Sequence, residues 1–298
     1  MLTSLKMQSD DKSEPTEDCA EPMSPGRCES ATEVRTGQRP SMYAPAVSRI
    51  RSLTSCQRSP RRWFWHHLSR WQLRVREIVG DGGIIRMQRL VAPAVRWNLT
   101  ALGRVYWTDK AMAHSYTPIY QQHFQHLQYR PITLLEIGVG GDESPTWGGG
   151  SLRMWRDFFP HGQIHGVDIL EKRVDETRIH IHRGDQSDRV FLRDLAQQHG
   201  PFDIIIDDGS HINAHIRTTF EVLFVEHLKP GGTYVIEDMA TAYIPEYGGG
   251  EPGCPKTSVE LVKDLIDDVN RNYWKDRAAR PVSAVHVFEQ LALIEKAR

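Results

Sequence analysis

The chain has 298 residues, of which 39% are hydrophobic and 25% are charged, and its formal net charge at pH 7 is -1. The sequence contains no apolar run of the roughly 18 residues that a transmembrane helix needs. Its four cysteines are too few to hold a chain of this length together as a disulfide scaffold. We therefore expect a cytoplasmic protein that consists of one large domain or of a domain with an appendage.

The charges divide the chain into three parts. Residues 1–60 are rich in Ser, Pro, Glu, Arg and Thr and lack apolar periodicity, which predicts a disordered leader. Residues 49–104 contain twelve arginines, no lysine and two acidic residues, which gives a net charge of +10. Residues 105–298 carry a net charge of -8. The predicted division is a disordered leader at 1–60, a basic helical arm at 61–104 and a folded domain at 105–298.

Helices are predicted along the arm and at the start of the domain. Apolar residues at three- and four-residue steps predict an amphipathic helix over 62–79, which ends at the glycines around Gly80. A second helical stretch is predicted at about 84–102 and a third at 115–128. Tryptophans lie among the arginines of the first helix, which is typical of a membrane-surface or partner-binding helix. Contact of residues 61–80 with a membrane is one prediction, and packing against the domain is the alternative.

From residue 132 onward, apolar strands alternate with helices. The predicted strands cover 132–139, 163–169, 178–185, 202–209 and 232–239, and the predicted helices cover 151–159, 188–199 and 212–228. A further amphipathic helix follows Pro255, and two apolar runs around Glu289 and Gln290 predict a terminal hairpin. Continuous apolar strands separated by helices indicate an α/β fold, doubly wound and Rossmann-like, with a mostly parallel sheet.

Ligands of such a sheet bind at the carboxyl ends of its strands. The first predicted strand contains Glu136, and a turn with Gly138 and Gly140 follows within a long acidic loop. Negative charge around these glycines suits a cationic ligand better than a diphosphate. Asp168 ends the second strand thirty residues after Gly138, whereas a dinucleotide fold places its ribose-binding acid about 20 residues on. The pattern favours an adenosine-bearing cationic cofactor such as S-adenosylmethionine, with turn geometry alone as the alternative for the glycines.

Polar residues also lie at the end of the third predicted strand, and two histidines follow the fourth. Asp185 and Gln186 can hydrogen-bond an adenine edge, while the next residues, Ser187 or Asp188, can cap the following helix. His211 and His215 form an i, i+4 pair that could bind zinc, but the sequence offers no third soft ligand near them.

Acidic residues end the fourth and fifth strands. Asp207 and Asp208 follow one strand, and Glu237 and Asp238 follow the other. If the strands are neighbours, four carboxylates converge and repel one another unless a cation lies among them. Hard oxygen ligands without cysteine favour Mg²⁺ or a similar divalent ion. His211, three residues after Asp208, can then act as a base; acids at helix starts and a surface histidine are the alternative.

Several runs of this sequence resemble a known family. They are LLEIGVGG, GGGSLRMWRDFFP, GVDI, GDQSD, FDIIIDDGSHINAH and LKPGGTYVIEDM, with TDKAMAHSYTPIY upstream. Through them, residues 105–298 resemble the class I S-adenosylmethionine-dependent methyltransferases. More narrowly, they resemble the metal-dependent sugar O-methyltransferases of the macrocin and mycinamicin type and related actinobacterial saccharide O-methyltransferases. The resemblance implies a seven-stranded sheet whose last strand is antiparallel.

The resemblance also implies a reaction and the residues that perform it. The reaction is metal-dependent transfer of a methyl group from S-adenosylmethionine to a hydroxyl of a sugar, with His211 as the general base. The implied metal ligands are Asp208, Glu237 and Asp238. The implied cofactor pocket comprises Glu136, Gly138, Gly140, Asp168, Asp185, Gln186 and Asp207. Two loops, GDESPTWGGG and ATAYIPEYGGGEPGCPKTS, are expected to form a lid, so that Tyr243 and Tyr247 are candidate substrate contacts.

Partners and alternatives follow from the same reasoning. The expected partner is a small-molecule or polysaccharide glycoside rather than a nucleic acid, and the resemblance implies a homo-oligomer. The N-terminal region has no convincing equivalent of the auxiliary domain of the macrolide enzymes, and the first 86 residues, before Met87, are expected to be dispensable. The alternatives are an NAD-dependent oxidoreductase, or a methyltransferase acting on a non-sugar acceptor such as nucleic acid or a catechol-like small molecule.

Overall fold

The computed structural model describes residues 60–298 apart from 142, 175 and 274–278, and it leaves out the side chains of residues 60–71 and 73. The predicted leader therefore lies outside the described residues, as do the side chains of the arm's first tryptophans. Within the described part of the chain, no helix is long and apolar enough to cross a membrane.

The N-terminal part is helical. It consists of α1 (Pro60–Val91), α2 (Leu99–Val105), α3 (Asp109–Met112) and α4 (Thr117–Phe124). Helical geometry is broken inside α1 at Gly80, where the sequence predicts a helix end. The helical stretch predicted at 84–102 is helical at both ends but interrupted in the middle. The chain forms a short 3₁₀ turn at Ala92–Ala94, because Pro93 cannot donate to a continuing α-helix, and a new helix starts after the Asn98 cap.

Seven strands form one sheet. They are β1 (Thr133–Ile137), β2 (Gln163–Asp168), β3 (Ile179–Arg183), β4 (Phe202–Asp207), β5 (Leu228–Ile236), β6 (Val282–Phe288) and β7 (Leu291–Lys296). The strand order is β3-β2-β1-β4-β5-β7-β6, with parallel pairing from β3 through β5 and antiparallel pairing of β7 with both neighbours. The predicted Rossmann-like sheet, its antiparallel last strand and the terminal hairpin are confirmed.

Four longer helices cover the sheet: α5 (Gly150–Phe158), α6 (Arg189–His199), α7 (Asn213–His227) and α8 (Ser258–Val269). The side chains of successive strand residues point to opposite faces, so the sheet contributes side chains to two hydrophobic cores, one on each face. Ile204 and Ile206 join the core with α5 and the N-terminal helices, while Ile205 joins the core with α6, α7 and α8. Asp188 caps α6 by accepting hydrogen bonds from two backbone amides, as predicted.

The first of these cores extends toward the N-terminus. Ala92, Leu99 and Leu102 are fully buried in the same cluster as residues of β1 and α5. Further upstream, Ile84 of α1 is buried, whereas Ile78 is 83% exposed. The division between arm and domain at 104/105 stays a prediction, but side chains on both sides of it share one core.

Strand order fixes where a ligand can bind. The chain runs from β1 outward to β3 and then returns to place β4 on the other side of β1. At this reversal, the carboxyl ends of β1, β4 and β5 lie in register, with Ile137 opposite Asp207 and Asp207 opposite Ile236. The loops leaving these ends diverge and open a crevice, which is the usual ligand position of an open α/β sheet.

Candidate active site

The turn after β1 is shaped by two glycines with different surroundings. Gly138 has φ +97, and a Cβ added there would lie 2.0 Å from the backbone oxygen of Asp208, so only glycine lets β1 turn against the end of β4. Gly140 has φ +70, but no heavy atom lies within 4 Å of the position that a Cβ would take. The turn is therefore packed on one side and open on the other.

Acidic residues at the ends of β2 and β3 accept hydrogen bonds from the loops around them. The carboxylate of Asp168 accepts hydrogen bonds from the backbone N–H of Val139 (3.2 Å) and of Leu170 (2.9 Å), which puts it beside the glycine turn. The carboxylate of Asp185 accepts from the N–H and the hydroxyl of Ser187 at 2.8 and 2.7 Å. Both predicted cofactor residues thus lie at the crevice edge of the sheet.

Asp207 and Gln186 face the interior instead. The Gln186 amide donates to Asp207 Oδ1 (3.1 Å), the Tyr234 hydroxyl donates to Oδ2 (3.1 Å), and Gln186 Oε1 accepts from Ser210 N–H (2.6 Å). Burial raises the pKa of Asp207 to about 6, although the hydrogen bonds from Tyr234 and Gln186 oppose this shift. The pair holds the loop that follows β4, and its predicted contact with a cofactor stays a prediction.

Three of the predicted active-site residues converge. One ligand atom each of Asp208, His211 and Asp238 lies within 4.8 Å of the others, and His211 Nε2 is 3.8 Å from Asp238 Oδ2. All three side chains are partly exposed, so the cluster opens to solvent. His211 (φ 57) and Asp238 (φ 53) have left-handed backbones, which cost a non-glycine residue roughly 1–2 kcal/mol. Such strain is concentrated at functional sites.

A buried lysine that is not among the predicted site residues lies beneath this cluster. Lys110 Nζ is 2.6 Å from Asp208 Oδ2, 2.7 Å from Glu237 Oε1 and 3.4 Å from Glu136 Oε1, and its side chain is 1% exposed. Burial lowers the pKa of Lys110, but the three carboxylates outweigh it and raise the pKa well above its usual range. Of the four carboxylates predicted to converge, Asp208 and Glu237 thus contact an ammonium group, which they share with Glu136.

Glu237 and Glu136 lie on the inner side of the lysine. Glu237 Oε1 accepts hydrogen bonds from Lys110 and from the Tyr120 hydroxyl, while Glu136 Oε2 accepts from Trp155 Nε1 (2.7 Å). Burial raises the pKa of both carboxyl groups, and Lys110 opposes the shift. Lys110 joins Glu237 to Asp208, and the direct role of Glu237 as a metal ligand stays a prediction.

Residues of the segment before α4 orient Asp238. The Tyr116 hydroxyl donates to Asp238 Oδ1 at 2.8 Å and also contacts the backbone oxygen of Gln290. His114 Nδ1 is 3.6 Å from the same Oδ1, and its ring stacks on Tyr116 with centroids 5.0 Å apart. Tyr116, His114 and Lys110 come from one short stretch of sequence, which therefore supplies much of the surroundings of the acidic cluster.

The donor set of the cluster fits a hard divalent cation. Asp208 and Asp238 offer carboxylate oxygens, the ligands that Mg²⁺ prefers in proteins, from a partly exposed position that an ion can reach. The zinc pair considered for His211 and His215 is not formed, because His215 Nδ1 lies 2.9 Å from the Ser210 hydroxyl and joins no group of three ligands among the described residues.

Known proteins similar to this chain are sugar methyltransferases, although no protein-family model matches it. The chain is 49% identical over 212 residues to mycinamicin VI 2''-O-methyltransferase from Micromonospora griseorubida, a match that covers 67% of this chain and 53% of that protein. It is 46% identical over 210 residues to demethylmacrocin O-methyltransferase from Streptomyces fradiae, with 67% of this chain and 53% of that protein covered. The chain spans about half the length of the curated relatives it matches.

Solved structures agree with these relatives. MycE methyltransferase from the mycinamycin biosynthetic pathway, in complex with Mg, SAH and mycinamycin VI, matches with a TM-score of 0.65 and 49% identity, covering 67% of this chain and 54% of that chain. The predicted resemblance to the sugar O-methyltransferases is confirmed. The sheet described above is accordingly a class I methyltransferase fold.

The loop after β5 contains the two tyrosines that are candidate substrate contacts. Tyr243 and Tyr247 end short 3₁₀ helices at Met239–Tyr243 and Pro245–Tyr247, and Tyr243 is 49% exposed. The loop is anchored by the buried amide of Asn213, which donates to the backbone oxygen of Tyr247 at 2.9 Å. Both tyrosines thus follow directly on Asp238, and their contact with substrate stays a prediction.

Proposed function

We propose that this chain carries the methyl-transferring domain of a metal-dependent sugar O-methyltransferase, which methylates a hydroxyl of a sugar in a glycosylated natural product or polysaccharide. One observation carries the proposal. The ligand atoms of Asp208, His211 and Asp238 lie within 4.8 Å of one another at the sheet edge that also bears the glycine turn. The similarity to sugar O-methyltransferases supports the choice of acceptor.

The cofactor in this proposal is S-adenosylmethionine, bound over the turn after β1. The open side of Gly140 leaves room for it, and Asp168 beside the turn can accept hydrogen bonds from two ribose hydroxyls. Glu136, Asp185, Gln186 and Asp207 are the further cofactor residues that we propose, directly or by shaping the pocket. The negative charge of the crevice complements the sulfonium of this cofactor.

The metal in this proposal is Mg²⁺ or a similar divalent ion, held by Asp208 and Asp238 with Glu237 beneath them. Such an ion, when bound, orients and acidifies neighbouring hydroxyl groups. Lys110 keeps the charge of the inner carboxylates balanced, and Tyr116 fixes the orientation of Asp238. These residues hold the ligand set in place whether or not the ion is bound.

His211 then acts as the general base. Its imidazole accepts the proton of the sugar hydroxyl while the hydroxyl oxygen forms a bond to the methyl carbon. The bond between that carbon and sulfur breaks, and its electron pair goes to sulfur, which leaves S-adenosylhomocysteine. Because the attack must be in line with the breaking bond, positioning of the acceptor contributes much of the rate. We propose Tyr243 and Tyr247 as sugar contacts in this step.

Some properties of the whole protein stay predictions. They are a cytoplasmic location, a homo-oligomeric state and contact of residues 61–80 with a membrane. The exposed side chain of Ile78 at the end of that segment is compatible with such a contact.

Methyl transfer to a panel of deoxysugar glycosides tests the proposal directly. We expect the purified chain, with S-adenosylmethionine and Mg²⁺, to add one methyl group to a glycoside, which mass spectrometry detects as an increase in mass. EDTA should abolish this activity. His211→Ala should lower the rate by about 10²-fold or more, the usual contribution of a general base, while the exposed His161→Ala serves as the matched control.

Binding experiments separate the proposal from its rivals. S-adenosylhomocysteine should raise the melting temperature of both wild type and His211→Ala, and NAD should not. A full rate in His211→Ala, an activity indifferent to EDTA, or stabilisation by NAD alone would each contradict the proposal.

A further inference from the structure

A second group of metal-competent side chains lies away from the acidic cluster. It consists of His123 near the end of α4, His286 on β6 and Glu295 on β7. One ligand atom of each lies within 4.8 Å of the other two. Nothing in the proposed methyl transfer uses these residues.

The three side chains converge from separate parts of the chain. His286 Nε2 is 3.0 Å from Glu295 Oε1, across the terminal hairpin. The rings of His123 and His286 have centroids 4.7 Å apart at an interplanar angle of 65°. Since a helix and two strands contribute one side chain each, the convergence is a feature of the tertiary structure and not of neighbouring sequence.

The side chains of this group are ligands that a borderline-soft metal ion prefers. Two imidazoles and one carboxylate form a ligand set that suits Zn²⁺, whereas Mg²⁺ prefers oxygen ligands alone. A neutral imidazole keeps a lone pair that can bind a metal ion. All three side chains are partly exposed, so an ion can enter and water can complete a tetrahedral coordination.

We propose that His123, His286 and Glu295 bind Zn²⁺ or a similar borderline transition-metal ion and thereby cross-link α4 to the terminal hairpin. The cross-link lies on elements that also support the acidic cluster. Tyr120 of α4 donates to Glu237, and Tyr116 contacts Gln290 in the turn of the hairpin. A bound ion would therefore brace the helix and the hairpin against each other, and this role does not depend on the proposed methyl transfer.

Zinc titration of the untagged full chain tests the proposal. The experiment is run at pH 7.5 in excess Mg²⁺, because Asp208, His211 and Asp238 could also take zinc. We expect one zinc ion to bind and to raise the melting temperature by several degrees, since an ion bound only by the folded state stabilises it. His123→Ala and Glu295→Gln should each weaken zinc binding at least tenfold, and Co²⁺ in place of zinc should give the absorption bands of a tetrahedral site.

Matched variants decide the result. Asp208→Asn should retain the zinc affinity of the wild type, as should His161→Ala, which removes an exposed histidine outside the group. Glu295→Gln and His286→Ala change partly exposed side chains, so they remain informative if His123→Ala fails to fold. The proposal is overturned if wild type binds no zinc, if Asp208→Asn abolishes binding, or if Glu295→Gln and His286→Ala bind as tightly as wild type.

Discussion

Lys110 supplies the positive charge among the carboxylates of the candidate active site. Its ammonium group is buried among the carboxylates of Asp208, Glu237 and Glu136. A divalent ion held by the outer acids would share Asp208 with this lysine. The site therefore combines a permanent inner cation with an outer position open to solvent, and the inner cation keeps the carboxylates together in either state.

Replacement of Lys110 by methionine should destabilise the fold. The change keeps the length of the side chain but leaves buried carboxylates without their cation, a loss that costs about 3–5 kcal/mol for buried pairs. We expect urea denaturation to show a decrease of this size, and Lys110→Met/Glu237→Gln to recover part of it because one of the stranded charges is removed as well. Lys263→Met, at an exposed lysine, is the control. A decrease no larger than that of the control would refute the charge-balancing role.

The two glycines of the first turn should respond differently to alanine. At Gly138 a Cβ would meet the Asp208 backbone oxygen at 2.0 Å, so Gly138→Ala should disrupt the fold. At Gly140 the space is open, and Gly140→Ala should cost only the roughly 1–2 kcal/mol of a left-handed alanine. Its methyl group would occupy the proposed cofactor space, so calorimetry should show weakened S-adenosylhomocysteine binding by a folded protein. Unchanged affinity in Gly140→Ala would place the cofactor elsewhere.

Strand-end reasoning could predict part of the site but not its centre. Asp208, His211 and Asp238 were predicted together because the carboxyl ends of neighbouring parallel strands share one edge. Lys110 lies 98 positions before Asp208, on a helix that precedes the first strand, and no local spacing links the two. The same strand-end reasoning predicts Glu237 beside the metal, but it could not predict the hydrogen bonds that Glu237 accepts from Lys110 and Tyr120.

At the scale of elements, the strands were easier to predict than the helices before them. Buried strands of a parallel sheet form continuous apolar runs, and all five parallel strands from β1 to β5 lie within a few residues of their predicted positions. The interruption within 84–102 was not predicted, because helical periodicity continues through Pro93, whose missing N–H nevertheless ends α1. Helix-capping residues predicted helix starts reliably, as Asp188 did for α6.

One element pair contains an unusual group of histidines. His165 on β2 and His182 on β3 pack together, with Nδ1 of the first 3.0 Å from Nε2 of the second. The His180 ring stacks on His165, and the His199 ring contacts both His165 and His182 at a tilt. Burial lowers the pKa of His165 to about 3 and that of His182 to about 4, and the neighbouring histidines add to both shifts. His165 and His182 are therefore neutral at pH 7.

Acid should destabilise the protein through this group. A histidine whose pKa is lower in the folded state takes up its proton on unfolding, so its contribution to stability is complete above pH 6.5 and is lost as the pH falls toward 4 and 3. For His165 and His182 together the loss should be about 2 kcal/mol at pH 5, because solvent screening at the partly exposed His182 reduces its share. We expect His165→Leu/His182→Leu to flatten the decrease in unfolding free energy between pH 7 and 5, with His161→Leu as control. Equal slopes in wild type and the double variant would refute the prediction.

At the scale of the whole molecule, the basic arm is partly integrated into the methyltransferase domain. The Arg76 guanidinium lies 4.4 Å from the centre of the Trp147 ring, and Asp81 accepts a hydrogen bond from Thr146 at 3.1 Å. Arg89 forms an ion pair with Glu176. Part of the positive charge of the arm (+10) is thus paired with negative charge of the domain (-8) within the chain. Contacts of α1 also hold the loop that follows the glycine turn.

Truncation tests where the functional unit begins. A chain beginning at Met87 loses the contacts of Arg76 and Asp81 and the buried Ile84, yet it keeps the core residues from Ala92 onward. We expect it to fold cooperatively and to bind S-adenosylhomocysteine, with a melting temperature a few degrees lower. Protease cleavage in the loop around Trp147 should be faster, because α1 no longer holds that loop.

A chain beginning at Val105 should behave differently. It also lacks Leu99 and Leu102, and loss of each buried leucine costs roughly 2–5 kcal/mol in a well-packed core. The sum approaches the whole stability of a typical domain, about 5–15 kcal/mol, so this chain should aggregate or melt without cooperativity. Calorimetry of the two truncations side by side, each compared with the full chain, is the measurement. If the chain from Val105 melts like the one from Met87, the domain begins at 105 and the buried leucines before it are dispensable.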